Sequence, residues 1–241
     1  MGTVWQARLQ ALPFALKEAF RYVRASVRRE PDRRQAALAF ARRVARPGDP
    51  PSGLAALDRF AREDRFLMNV GPEKGLLLVE ELGKIGPNAR VLELGSFVGY
   101  SAILMARQLS DAGRIVSIDV SPESSEVSRA MATLAGVENR IEFRTGRAQD
   151  CLDTLDGRFD LVFLDHWKDL YKPDTEKILA RGLLAEGGVI VADNLGPMFG
   201  DNPYLAWMQA RPDFESRYVE GHVEYQKIED GALVSRHRGR S

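Results

Sequence analysis

A chain of 241 residues with 44% hydrophobic and 28% charged side chains has the composition of a folded globular protein, which excludes disordered and fibrous classes. Its single cysteine, Cys151, excludes an internal disulfide framework and a thiolate zinc cluster. The formal net charge is zero, yet residues 1–46 carry +8 and the remainder −8, so the charge is segregated along the chain.

Trp5, Leu9, Leu12, Leu16, Phe20, Val23 and Val27 recur at spacings of three or four, the stripe of an amphipathic helix, and arginines fill much of its other face. Pro13 within the stripe predicts a break or a late helix start. Two readings stay open for residues 1–30: a peripheral membrane or partner contact, and self-docking on the chain's own acidic body. No apolar stretch is long enough to cross a bilayer and none resembles a signal peptide, so the expected location is cytoplasmic, with membrane association only through this helix. No nucleic-acid partner is expected. "RPGDPPSG" (46–53) is a loop, and a helix is predicted over Leu54–Arg65.

From residue 75 the pattern alternates. "GLLLVEELGKIG" reads as a helix, "ARVLEL" (89–94) as a strand, and "YSAILMARQL" (100–109) as a helix after a glycine-bearing turn. Further strands are "RIVSID" (114–119), "RIEFRTG", "DLVFLD" (160–165) and "GGVIVADN" (187–194), separated by the helices "PESSEVSRAMATLAG" and "PDTEKILARGLL". Strands interleaved with helices predict an α/β fold with a mostly parallel sheet covered on both faces. "VEYQKI" and "ALVSRHR" around "EDG" predict an antiparallel hairpin at the sheet edge.

In open α/β sheets ligands bind beyond the carboxyl ends of the strands, and the polar clusters of this sequence sit there. Gly95 and Gly99 allow a tight turn and close approach of backbone to a ligand, and Asp119 at the next strand end is placed for ribose hydroxyls. The third glycine of a dinucleotide fingerprint is missing, which counts against a nicotinamide-dependent dehydrogenase and favours S-adenosylmethionine. Asp165, Asp193 and Asn194 offer hard oxygen donors suited to Mg²⁺ rather than zinc. Near a cation and partly desolvated, the Lys168 amine should fall towards the range of a general base.

"MNVGPEKG" (68–75), "VLELGSFVGYSA" (91–102), "VFLDHWKDLYKPDT" (162–175), "ADN" (192–194) and "EY" (224–225) resemble the catechol O-methyltransferase family from about Arg34 to the C-terminus. The resemblance implies a class I methyltransferase (Rossmann-like) sheet with an antiparallel C-terminal strand. It divides the chain into a basic amphipathic extension, 1–33, and a methyltransferase domain, 34–241. It implies Asp165, Asp193 and Asn194 as metal ligands, Lys168 as base and Glu224 as partner of the second catechol hydroxyl. Val70, Glu93, Gly95, Tyr100, Ser101, Asp119, Gln149 and His166 then fall to the cofactor. Met68, Trp167, Lys168, Asn194, Pro197 and Glu224 fall to the substrate.

The sequence departs from the family at Asp119, where a Glu is usual, at Ala148 for a serine, and at Phe66 and Phe97 for other aromatic residues. The activity implied is S-adenosylmethionine- and Mg²⁺-dependent methyl transfer to one hydroxyl of a small-molecule catechol. The alternatives are another vicinal diol, such as a caffeoyl ester, and a non-catalytic scaffold of the same fold.

Overall fold

Apolar runs of five or six residues bounded by glycine and proline form the central strands, because neither of their faces meets water. The structure, a computed structural model, describes residues 2–200 and 202–239; the side chains of residues 2–10, 22, 25 and 26 lie outside the description, Trp5 and Leu9 among them. Five parallel strands, β1 (Arg90–Leu94), β2 (Arg114–Asp119), β3 (Ile141–Thr145), β4 (Phe159–Leu164) and β5 (Leu184–Ala192), are joined by β6 (Phe214–His222) and β7 (Glu229–His237). The order is β3-β2-β1-β4-β5-β7-β6, with β7 antiparallel to both its neighbours.

Side chains alternate between two cores. Val91, Leu161, Phe163, Val189 and Val191 point to one face, and Leu92, Leu94, Val162, Leu164 and Ile190 to the other. The first face is covered by α2 (Arg33–Val44), α3 (Pro50–Glu63), α4 (Gly71–Ile85), α5 (Tyr100–Ala106) and α6 (Pro122–Ala135). The second is covered by α7 (Ala148–Leu152), α8 (Tyr171–Ala180) and α9 (Pro203–Gln209). Side-chain caps set several helix starts: Asp32, Asp49, Ser121 and Asn202 each accept from a backbone N–H of the first turn.

Three predicted elements differ. The expected loop 46–53 ends at Asp49, which caps α3 from Pro50 onwards. Pro13 does not break the first helix: α1 runs from Gly2 to Val27, and the proline sits on its exposed side, where water can satisfy the carbonyl left without a donor. "VEYQKI" is not a strand but the loop between β6 and β7. The strand partner is the preceding segment, whose mixed burial lacks a clean apolar alternation. The consequence for the site is that Glu224 sits on a loop and can turn inwards.

The crossover from β3 to β4 reverses direction beside β1, so the switch point of the sheet lies between β1 and β4. Gly95 closes that point. It has φ +104°, and a Cβ there would stand 2.5 Å from the Asp165 carbonyl oxygen. Gly95→Ala combines a left-handed conformation with a backbone clash, a cost of about 1–3 kcal/mol for the conformation alone. A melting temperature lowered by roughly 2–12 °C is expected; thermal unfolding followed by circular dichroism checks it, and an unchanged midpoint contradicts the tight packing described.

Candidate active site

A cavity of about 930 Å³ opens at the β1/β4 switch point, towards the upper end of the ~300–1,000 Å³ usual for ligand sites. The turn after β1 (Gly95, Phe97), the end of β2 (Asp119), the start of α7 (Gln149) and the segment after β4 (Asp165 to Lys168) line it. The Asp119 carboxylate accepts from the backbone N–H groups of Ser96 and Phe97, both at 3.0 Å, and from that of Ser121 at 2.8 Å. This aspartate therefore holds the glycine turn in shape while it faces the cavity.

His166 and Gln149 are held from behind by one residue. Asp174, fully buried in α8, lies 2.7 Å from His166 Nε2 and accepts from the Gln149 amide. Only Asp174 was not singled out from the sequence, because "PDT" reads there as a helix start. Met68 and Trp167 stand on the cavity rim, 48% and 75% exposed, apolar surface that a ligand would cover.

The structure does not bring every expected cofactor residue to this cavity. Glu93 is fully buried, with Ser101 Oγ donating to it at 2.5 Å and Ser117 Oγ donating to its other oxygen. Glu93 and Ser101 thus form a polar brace beneath the turn. Burial pushes the Glu93 carboxyl up to about 7, against the two hydroxyl donors that favour its charged form. Tyr100 points into the helical core beside Asp58, where burial and that anion raise its pKa. Val70 lines a separate, smaller cavity of about 240 Å³ with Gly71, Glu224 and Tyr225.

The acidic residues meet next to the large cavity. Asp193 and Asn194 follow β5 and are buried, Asp165 is half-buried just after β4, and Glu224 turns in from the β6–β7 loop. Between them lies Lys74 of α4, 4% exposed and not foreseen from the sequence. Its Nζ is 2.7 Å from Asp193 Oδ1, 2.9 Å from Glu224 Oε1 and 2.5 Å from Asp230 Oδ2. Asp193 Oδ2 and Glu224 Oε2, the oxygens outside these ion pairs, have no partner. Burial alone would strip the proton from Lys74, but Asp193, Glu224 and Asp230 hold its pKa well above the usual lysine value. Burial pushes Glu224 up to about 7 despite Lys74, and burial together with the charge of Asp193 raises Asp165.

This donor set fits a hard cation. Asn194 gives its amide N–H to Asp230 at 3.0 Å, leaving the carbonyl oxygen as its unspent group. Asp193 keeps one oxygen, Oδ2, outside its ion pair with Lys74, and Asp165 faces the same space. The third donor is an amide; no cluster of three or more His, Cys, Asp or Glu ligands occurs among the described residues. Asn194 adopts φ +56°, uncommon for a residue other than glycine, as do Phe97 at +49° and Tyr225 at +61° beside Glu224.

Lys168 lines the same cavity, its Nζ 3.9 Å from the centroid of the Phe199 ring. Desolvation lowers its pKa, partly offset by the anions Asp165, Asp230 and Asp193. Phe199 comes from a short turn, Pro197–Phe199, so Pro197 sets the start of the wall rather than the wall itself. The turn belongs to an apolar cluster with Phe66, Val223, Ile228 and, from α1, Ala11 and Phe14. Phe14 meets Phe66 edge-on at 4.9 Å. The N-terminal helix therefore packs on the turn that carries Phe199 to the cavity wall.

Comparison with known proteins agrees with this geometry. Residues 51–198 match the model of a family described as O-methyltransferase. Catechol O-methyltransferase B of Danio rerio is 37% identical over 190 residues, 76% of this chain and 71% of that one. The catechol O-methyltransferase of Mus musculus is 36% identical over 200 residues, 81% and 75% of the two chains. Among solved structures, the O-methyltransferase TomG of Streptomyces achromogenes in complex with SAM superposes with a TM-score of 0.65 at 28% identity, covering 78% of this chain and 90% of that one.

The Glu93 brace carries a pH signature. Its pKa in the fold, about 7, exceeds the ordinary 4.5, so the folded state binds the proton more tightly than the unfolded chain. The stability this contributes is complete below about 4.5 and is lost as pH rises through 7. Glu93→Gln, which keeps a neutral hydrogen-bonding group, should flatten the pH dependence of unfolding free energy across that window; urea titrations at a series of pH values check it, and an unchanged slope refutes it.

Proposed function

Because this chain belongs to the S-adenosylmethionine-dependent O-methyltransferase family, we propose that its acceptor is one hydroxyl of a catechol and that the reaction requires Mg²⁺. The observation that carries this reading is a pair of buried carboxylates, Asp193 and Glu224, each with one oxygen outside its ion pair to Lys74 and without a partner, set beside the cavity that Lys168 lines. Buried acceptors left unpaired are costly, and a vicinal diol with its cation would satisfy both.

In this reading the large cavity takes S-adenosylmethionine. Asp119 and the Gly95 turn lie at its ribose end, and Gln149, His166 and Met68 form its walls. Asp165, Asp193 and Asn194 would hold Mg²⁺, which supplies the positive charge that favours a catecholate over a neutral phenol. Glu224 accepts from the second hydroxyl. Lys168, kept off the ordinary lysine pKa by desolvation, takes the proton of the reacting hydroxyl at Nζ. The freed oxygen forms the new O–CH3 bond as the S–CH3 bond breaks, leaving a neutral thioether. Trp167 and Phe199 shield the reacting atoms from water and hold the ring in line.

The test is transfer of a labelled methyl group to catechol and to phenol, with and without EDTA. Catechol should react far faster than phenol, EDTA should abolish the reaction and Mg²⁺ should restore it. Lys168→Ala should lower kcat roughly 100-fold or more while leaving S-adenosylmethionine affinity unchanged. Equal rates on the two acceptors, or full activity in EDTA, would overturn the chelation reading.

The N-terminal helix is read here as a contact with an anionic membrane surface. Ala11 and Phe14 turn towards the body, whereas Leu12, Leu16, Phe20, Val23 and Val27 stay 51–79% exposed on one stripe. At roughly 100° per residue, Lys17, Arg24 and Arg28 fall beside that stripe, all exposed. An apolar stripe edged with cations suits the boundary of acyl chains and acidic headgroups. No helix among the described residues is long and apolar enough to span a membrane. The chain should sediment with phosphatidylcholine vesicles only when phosphatidylserine is present, and the pair Leu16→Glu, Phe20→Glu should remove binding. Binding unaffected by the pair, or a dimer in light scattering that the pair abolishes, would refute it.

A further inference from the structure

Lys74 is the one buried cation of the acidic cluster, and the reaction described above leaves it without a task. It stands in the first turns of α4 and ties together three chain segments: Asp193 after β5, Glu224 in the β6–β7 loop and Asp230 in β7. The contact is built in. Gly71, at φ +65°, brings α4 so close to Glu224 that a Cβ would stand 3.0 Å from Glu224 Cγ, and a Cβ at Gly221 would stand 3.2 Å from Lys74 Cγ. Asp230 continues the bracket by accepting from Asn194 Nδ2 and from the Gly196 N–H, both at 3.0 Å.

A carboxylate on a loop beside another buried carboxylate would swing away or take up a proton. Glu224 has no hydrogen-bond donor of its own, so its orientation depends on the ammonium. We propose that Lys74 is the positioning residue for the second hydroxyl: by pinning Glu224 against Asp193 it fixes how the diol lies, and so decides which of the two oxygens receives the methyl group. This rests on the catechol reading above. Lys74 itself does not line the large cavity, and it reaches the second hydroxyl through Glu224.

The readout is the ratio of the two monomethyl ethers formed from an unsymmetrical catechol, protocatechuate, which a general loss of stability would not move. Lys74→Met should shift that ratio towards an even mixture by at least about threefold, the scale of coupling between contacting groups. Catechol affinity in the presence of Mg²⁺ and S-adenosylhomocysteine, measured by calorimetry without turnover, should weaken about tenfold. S-adenosylhomocysteine affinity should stay the same. Glu224→Gln should give the same shift, and the double variant no more than either single one. Glu224→Gln leaves Lys74 paired with Asp193 and Asp230, so it decides the question if Lys74→Met does not fold.

An unchanged ratio in Glu224→Gln, additive shifts in the double variant, loss of S-adenosylhomocysteine affinity along with activity, or an even mixture from the wild-type chain would each overturn the proposal. Failure of the wild-type chain to methylate any catechol would instead bring down the proposed function, and this inference with it.

Discussion

An ammonium buried among three carboxylates constrains this molecule more than any apolar contact near the site. Lys74 can stay charged in that place only because Asp193, Glu224 and Asp230 surround it, and they can stay buried largely because of it. Each comes from a different segment, so the ion cluster fixes α4, the end of β5, the β6–β7 loop and β7 at one point. Asp230 then carries the constraint onward through the Gly196 N–H to the loop that brings Phe199 over Lys168.

The parallel sheet divides the work between two compartments. The cavity beside β1 and β2 is roomy and rimmed with apolar side chains, while the cluster beyond β5 is buried and charged. The segment after β4 serves both, since Asp165 faces the acids and His166 to Lys168 face the cavity. A carbon donor on one side and a polar acceptor on the other would meet there. Three of the four non-glycine residues with positive φ among the described residues, Phe97, Asn194 and Tyr225, border these compartments, the usual place for stored backbone strain.

The sheet and most of the wall were legible in the sequence because they rest on local signals. Short apolar runs announced the strands, and polar groups stacked after them announced a ligand edge. What escaped depends on long-range pairing. Lys74 follows "GPE" in the first turns of a helix, where a lysine normally points to water; nothing local shows that three distant acids enclose it. Asp230 in "EDG" looked like a turn residue, and Asp174 in "PDT" like a helix start. Glu93, Ser101 and Tyr100 sit in a motif whose spacing was read correctly as a turn, but a motif does not say which side chains face the ligand and which hold the turn from beneath. β6 was missed for a similar reason, since an edge strand of mixed burial has no strict alternation to detect.

The segment matched by the family model, 51–198, ends one residue short of Phe199, and the other members of the wall cluster are split across that boundary: Phe66 and Met198 inside it, Ala11, Phe14, Val223 and Ile228 outside. On the proposed function, the residues assigned to the methyl donor lie within that one continuous stretch, whereas the aromatic wall assigned to the acceptor draws on segments at both sides of it. Such a division uncouples the two properties under mutation. Ends of this kind can be exchanged between relatives, or drift on their own, and alter the acceptor without retuning the donor pocket, which makes the termini the economical place to graft a new specificity.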